Sequence, residues 1–214
     1  MIYETVSTDL SIKQGDIFRG IPRVDFSLSS VAVIDEDETR RQATWRDLLS
    51  ENGGSTEVAA VLPMKSVDAI VITQNCDAVR GEYLCLCQID DFLEVTGKKD
   101  NPPRNPKKWQ TLITQHSRTN QRWFYLPADP IFGFNDKKAV DFRVILRVPR
   151  ADLESLKELR VCRLGSVATE HFREAMAHFF RRYPYDEWYP LTKEEYQAYC
   201  ESKQEPARPY PWQE

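Results

Sequence analysis

Two runs of β-favouring side chains, AIVIT at 69–73 and EYLCLCQI at 82–89, stand on either side of a short polar corner. A connection of that length cannot carry a parallel crossover, so the runs are expected to pair antiparallel as a central hairpin. Cys76-Asp77 sits in the corner. Asp77 is expected to cap the turn as an Asx-type residue, with Gly81 supplying the positive φ that the return strand needs.

Further strand signals surround the hairpin. Gly15-Asp16 reads as a turn opening a strand at Ile17 and Phe18, and VAV at 31–33 and VAAVLPM at 58–64 are short apolar strands. RWFYLP (122–127) and VDFRVILRVP (140–149) follow, the latter alternating Phe142, Val144 and Leu146 with Arg143, Ile145 and Arg147. After residue 150 the period changes. ADLESLKEL (151–159) is a short helix candidate, and 166–183 keeps Val167, Ala168, Phe172, Ala175, Met176, Phe179 and Phe180 at the three-four spacing of one buried stripe. Thr192 to Glu195 matches a capping box, and 205–214 is a Pro-rich extended tail. Strands followed by helices place the chain in the α+β class. The expected organisation is a β domain over 1–150 with insertions at 35–57 and 97–122, a helical extension over 151–204 packing on it, and the tail.

A chain of 214 residues, 41% hydrophobic and 29% charged, buries a real core. Its net charge of −4 shows no overall bias towards nucleic acid or anionic membrane. The first residues lack a basic and an apolar region of the secretory kind, and no apolar run reaches the ~18 residues of a membrane span. A cytoplasmic protein that does not engage a membrane is expected, in keeping with five scattered cysteines, an odd number that suits a reducing compartment.

The strand order from Gly15-Asp16-Ile17-Phe18, through Ile70 to Asn75, to the return strand Tyr83 to Ile89 resembles the SH3-like barrel of the MazF/PemK family, bacterial toxin endoribonucleases of toxin–antitoxin modules. The resemblance implies a small antiparallel SH3-like barrel with inserted loops and a packed C-terminal amphipathic helix, and a homodimer. It also implies a working Arg after the first strand, for which Arg19 or Arg23 stands in, and a Ser or Thr where this chain has Asp90. An acidic Asp90 supplies no neutral hydroxyl to a scissile phosphate. The corner Thr73-Gln74-Asn75-Cys76-Asp77, with Arg163-Leu164, Phe172, Phe179-Phe180 and Arg181, is similar to a group of bacterial proteins sharing a [ST]-x-x-C-D corner and an Arg-Leu…Phe-Phe-Arg helix. Stress or phage-defence modules are the setting these resemblances imply.

Candidate chemistry divides between two regions. As catalytic residues the corner offers Cys76 and Asp77, with Arg19 and Arg23 to clamp a phosphate. A nucleophilic Cys76 would need a nearby cation or base. His116, His171 and His178 are the histidines, and none is tied to Cys76 by a local motif; the competing role for Cys76 is packing, and Asp77 is the better polar candidate. Cys85 and Cys87 share one strand face, but no C-x-x-C knuckle or paired His completes a zinc set, so neither a metal nor another cofactor is expected. His171 and His178 border the helix stripe, as ligands or as snorkelling boundary residues.

Residues 97–123 form the other region, seven Lys or Arg against one Asp. Lys98, Lys99, Arg104, Lys107, Lys108, Arg118 and Arg122, with Trp109 and Trp123, combine phosphate-neutralising charge with stacking rings, as single-strand binders require. The alternative is a solvated loop balancing the acidic runs at 35–38 and 90–94. Two functions stay open: a non-catalytic binding or regulatory protein whose helix or Pro-rich tail engages a protein partner, and an endoribonuclease-like protein acting on a single strand.

Overall fold

The computed structural model describes residues 1–34, 38–51, 60–119 and 122–181, with the backbone alone over 115–119, and positions 194, 195, 197, 198 and 201. Thr192 and Lys193 of the expected capping box, the 205–214 tail and the side chains of His116 and Arg118 fall outside these residues. The chain divides into two compact units, Met1–Met176 and Ala177–Glu214.

The first unit opens with strand β1 (Tyr3–Glu4) and β2 (Asp16–Val24), followed by β3 (Val31–Ile34), β4 (Arg40–Ala43), helix α1 (Trp45–Glu51), β5 (Ala60–Val61) and β6 (Met64–Val71). Thr44 and Asp47 start α1 with reciprocal bonds: the Asp47 amide donates to Thr44 Oγ1 at 3.2 Å and the Thr44 amide to Asp47 Oδ2 at 3.3 Å. Next come α2 (Asn75–Arg80), β7 (Tyr83–Asp91), α3 (Phe92–Thr96), α4 (Pro106–Thr119), β8 (Trp123–Leu126), β9 (Lys138–Pro149), α5 (Arg150–Ser155), β10 (Arg160–Leu164) and α6 (Ser166–Phe180).

Seven strands form one antiparallel sheet in the order β1-β10-β2-β6-β7-β9-β8, and β4-β3-β5 form a second. The expected hairpin is present, with Ile70 opposite Cys87 and Val71 opposite Leu86. A mixed α+β protein with a mostly antiparallel sheet is therefore what the sequence folds into. Among the described residues no backbone ladder closes the large sheet, whose edges are β1 and β8. They meet through Tyr3, whose hydroxyl donates to Pro127 O, just past β8, at 2.8 Å. Tyr3 also packs against Phe132 and Phe134.

The core between the sheet and its cover holds Ile12, Phe18, Ile21, Ala69, Val71, Leu84, Leu86 and Leu153. A second cluster joins Phe92 and Val95 of α3 to Trp123 and Ala139. Phe172 of α6 is fully buried against Phe124 and Phe142, at ring separations of 5.3 and 5.8 Å.

Several local expectations change. The corner of the hairpin is a short helix, α2, in which no side-chain cap bond is made, so Asp77 is not an Asx cap. Gly81 has φ −70°, not a positive φ; a Cβ there would lie 2.9 Å from Asp77 O, so glycine serves close backbone approach. Residues 106–119 are helical, because Pro106 takes the first helical position, where a missing N–H costs nothing, and Asn105 caps it, its Oδ1 accepting from the Lys108 amide at 2.9 Å. The last third is not wholly helical: β10 lies inside the large sheet between β1 and β2. The α6 stripe is only partly covered, with Phe172 buried but Val167 69% exposed. In the second unit, the Phe179 and Phe180 rings meet edge to face at 4.9 Å.

Candidate functional site

Arg19 and Arg23 both project from β2, and each is engaged locally. Arg19 Nε lies 3.6 Å from Asp68 Oδ1, Arg19 Nη2 donates to Phe132 O at 3.3 Å, and a Cβ on Gly133 would fall 2.9 Å from the guanidinium. Arg23 grips Asp25, Nε to Oδ1 at 2.7 Å, and reaches Gln88 Oε1, while Gln88 Nε2 donates to Asp90 Oδ2 at 3.1 Å. Hydrogen bonds from Arg23, and then from Lys65, hold the Asp25 carboxyl below its ordinary range. This surface network is self-satisfied.

Cys76 and Asp77 do not join it. Arg23 pairs with Lys65 across the β2–β6 ladder, and from Lys65 along β6 to the corner is roughly 20 Å at the ~3.3 Å rise of a strand residue. The corner's contacts are structural. Thr73 Oγ1 accepts from the Cys85 amide at 2.7 Å, tying the corner to β7, and Asn75 Oδ1 accepts from the Gln14 amide at 2.9 Å. Cys76 is exposed, and among the described residues neither it nor Asp77 has a side-chain partner. Arg23 is thus separated from Cys76-Asp77, Arg19 is engaged by Asp68 and Phe132, and His171 and His178 are exposed on α6.

Burial pushes the thiols of Cys87 and Cys162 up to about 12, aided by Asp141 and Asp16 respectively, so both stay protonated and inert at neutral pH. Among the described residues no group of three or more His, Cys, Asp or Glu could hold a metal ion. In a Cys200→Ser chain, a thiol reagent at pH 8 is expected to modify Cys76 quickly and Cys87 and Cys162 only after denaturant is added. Mass mapping of the labelled peptides checks this, and early label on Cys87 would contradict its burial.

The basic segment folds differently from an extended loop. Lys98, Arg104, Lys107 and Lys108 converge on a cleft of about 600 Å³ at the start of α4, lined also by Asn101, Asn105 and Thr111 and by no carboxylate among its lining residues. None of the four is in an ion pair among the described residues. In contrast, Lys99 turns away to Glu94. The stacking rings do not line this cleft. Trp123 is 2% exposed, edge-on to Phe92 at 4.9 Å, and offers no face to a base. Trp109 is half-buried beside Phe92, with Lys137 Nζ 4.7 Å over its ring. Arg122 has its Nε buried without a partner among the described residues.

No protein-family model, curated protein or solved structure matches the chain.

Sequence reasoning missed a third group of residues. Asp16, buried at the start of β2, receives Arg160 Nη1 at 2.9 Å and both Nε and Nη2 of Arg163, the latter at 3.0 Å. Gln14 is buried beside it. Its Nε2 donates to Ile72 O at 2.7 Å, and its Oε1 accepts from Arg173 Nε at 2.7 Å, so one side chain joins the corner to α6. Alternation in RVCRL, with Arg160, Cys162 and Leu164 buried, was the available signal for β10. Gln14 carried none.

Proposed function

We propose that this protein is a non-catalytic binding protein on an SH3-like, MazF-type scaffold, and that the cleft at the start of α4 takes the phosphate backbone of a single nucleic-acid strand. The observation that carries this reading is the convergence of Lys98, Arg104, Lys107 and Lys108 on one cleft without a lining carboxylate, in a chain whose net charge is −4. Unpaired surface cations in an acidic protein are free to neutralise phosphates and release their counterions. The scaffold assignment draws support from the antiparallel hairpin and from Tyr3, which brings the two sheet edges within hydrogen-bond reach. The binding class is favoured over strand cleavage by the separation of Arg23 from Cys76-Asp77. A stress or phage-defence setting follows from the resemblance alone.

Because the indole of Trp123 is buried, recognition rests on phosphates, and homopolymers of different base are expected to bind alike. Four phosphate contacts give a slope of log K against log salt of about −3 for a single strand. Fluorescence anisotropy with labelled oligonucleotides measures it. Lys98→Ala with Lys107→Ala is expected to reduce the slope by about half, whereas Trp123→Phe leaves affinity unchanged. Failure to bind at low salt, or a slope untouched by the double variant, would overturn this reading; strand cleavage in the same samples would favour the nuclease alternative.

A further inference from the structure

The residues left unused by strand binding meet elsewhere in the first unit. A cleft of about 480 Å³, within the ~300–1,000 Å³ usual for small-molecule sites, is lined by Lys13, Gln14, Asn75, Arg163 and Glu4 and by the first turns of α6. Its parts come from four separate stretches of chain. They are fixed by a buried frame: Gln14 is 3% exposed, and Asp16 and Arg160 are 0% exposed at their side chains. Arg163, held on Asp16 through two of its nitrogens, is a pre-set donor that binds without first losing side-chain freedom.

Charge indicates what the cleft accepts. Behind its wall one carboxylate, Asp16, holds two guanidiniums, so the cluster carries a surplus positive charge, and Arg160 within it is wholly buried. Burying an uncompensated charge is unfavourable, and the surplus draws an anion to the side that the cleft opens, which is that of Arg163. Arg163 uses Nε and Nη2 on Asp16 and Ser11 O; its Nη1 has no acceptor among the described residues. Lys13 stands beside it, its amide donating to Asp16 Oδ2 at 2.9 Å and its ammonium unpaired among the described residues. Arg173 is already neutralised by Glu170 at 2.6 Å. Glu4 faces Arg163 in register across β1 and β10 and lines the same cleft, yet no ion pair joins the two.

We propose that this cleft binds a small molecule through one oxyanion group, a phosphate or a carboxylate, seated against Arg163 and Lys13. Glu4 limits the ligand to a single such group and favours hydroxyl donors next to it. This site is separate from the α4 cleft and stands whether or not that cleft binds nucleic acid.

The test titrates the full chain with inorganic phosphate, ribose 5-phosphate and pyruvate, following the side-chain Nε–H signals of Arg163 and Arg173 by NMR and the heat by calorimetry. Saturable binding of at least one ligand with movement of the Arg163 signal is expected, and the phosphate and pyruvate arms separate the two sources of oxyanion. Lys13→Ala is expected to weaken binding about tenfold, the scale of one charge-assisted hydrogen bond, and Glu4→Gln to tighten it several-fold. Both positions are exposed, so the melting temperature of each variant should match that of the parent. Lys98→Ala with Lys107→Ala leaves this binding unchanged. Absence of saturable binding by all three ligands, or affinities identical in the parent and both variants, overturns the proposal.

Discussion

Replacing Asp16 by Asn is expected to destabilise the protein by about 3–5 kcal/mol, the usual penalty for removing one partner of a buried ion pair. Asp16 is the sole carboxylate contacting Arg160 and Arg163 among the described residues, and the side chains of Asp16 and Arg160 are fully buried. Arg160 also donates to Ser7 O at 2.6 Å, Leu10 O at 3.0 Å and Ser11 O at 3.3 Å, so it pins residues 7–11 to β10. An amide in place of the carboxylate leaves two guanidiniums facing each other without a counter-charge. Urea unfolding should show the loss, with a fall in melting temperature on the order of 10 °C. A change below ~1 kcal/mol would mean that the guanidiniums swing out to water when released.

Phe172→Ala should be nearly as damaging, about 3–5 kcal/mol, because it empties a site filled by one ring against Phe124 and Phe142. Val167→Ala, on the same helix and in the same sequence stripe, should stay within ~0.5 kcal/mol because Val167 lies mostly in solvent. The pair measured side by side separates the part of α6 that anchors from the part that does not. Equal losses at the two positions would show that the stripe is buried as a whole.

What the sequence made legible was local. The end of β6, Ala69–Val71, and β7 are runs rich in β-branched and apolar side chains whose pairing needs only a short connection, and β9 shows its period in plain alternation. β10 was hidden because five residues with two arginines follow a helical stretch, and buried arginine looks like surface until its carboxylate, far away in the chain, is placed beside it. The same distance misled the reading of Trp123. An indole amid cations resembles a stacking platform, but Phe92 arrives from α3 and covers it. Of the basic segment, charge density was visible, whereas the grouping of Lys98 with Lys107 and Lys108 depended on a helix starting at Pro106. Gln14 had no signature, since its role lies wholly in partners contributed by Ile72, Asn75 and Arg173.

The place of β10 between β1 and β2 has a consequence for how the chain is made. Among the described residues β1 pairs in the sheet only with β10, Tyr3 opposite Leu164, and β10 covers the outer flank of β2, Arg163 opposite Asp16. While the ribosome is still synthesising the middle of the chain, β2 through β9 can pair, but the flank of β2 stays open and the first strand has nowhere to dock. Long-range closure of this kind is slow, and an unpaired strand edge is the exposed state from which chains associate. Nascent chains stalled before residue 160 should therefore be protease-sensitive over residues 1–13 and protected in the β6–β7 hairpin, with protection of the N-terminus appearing only after β10 has emerged.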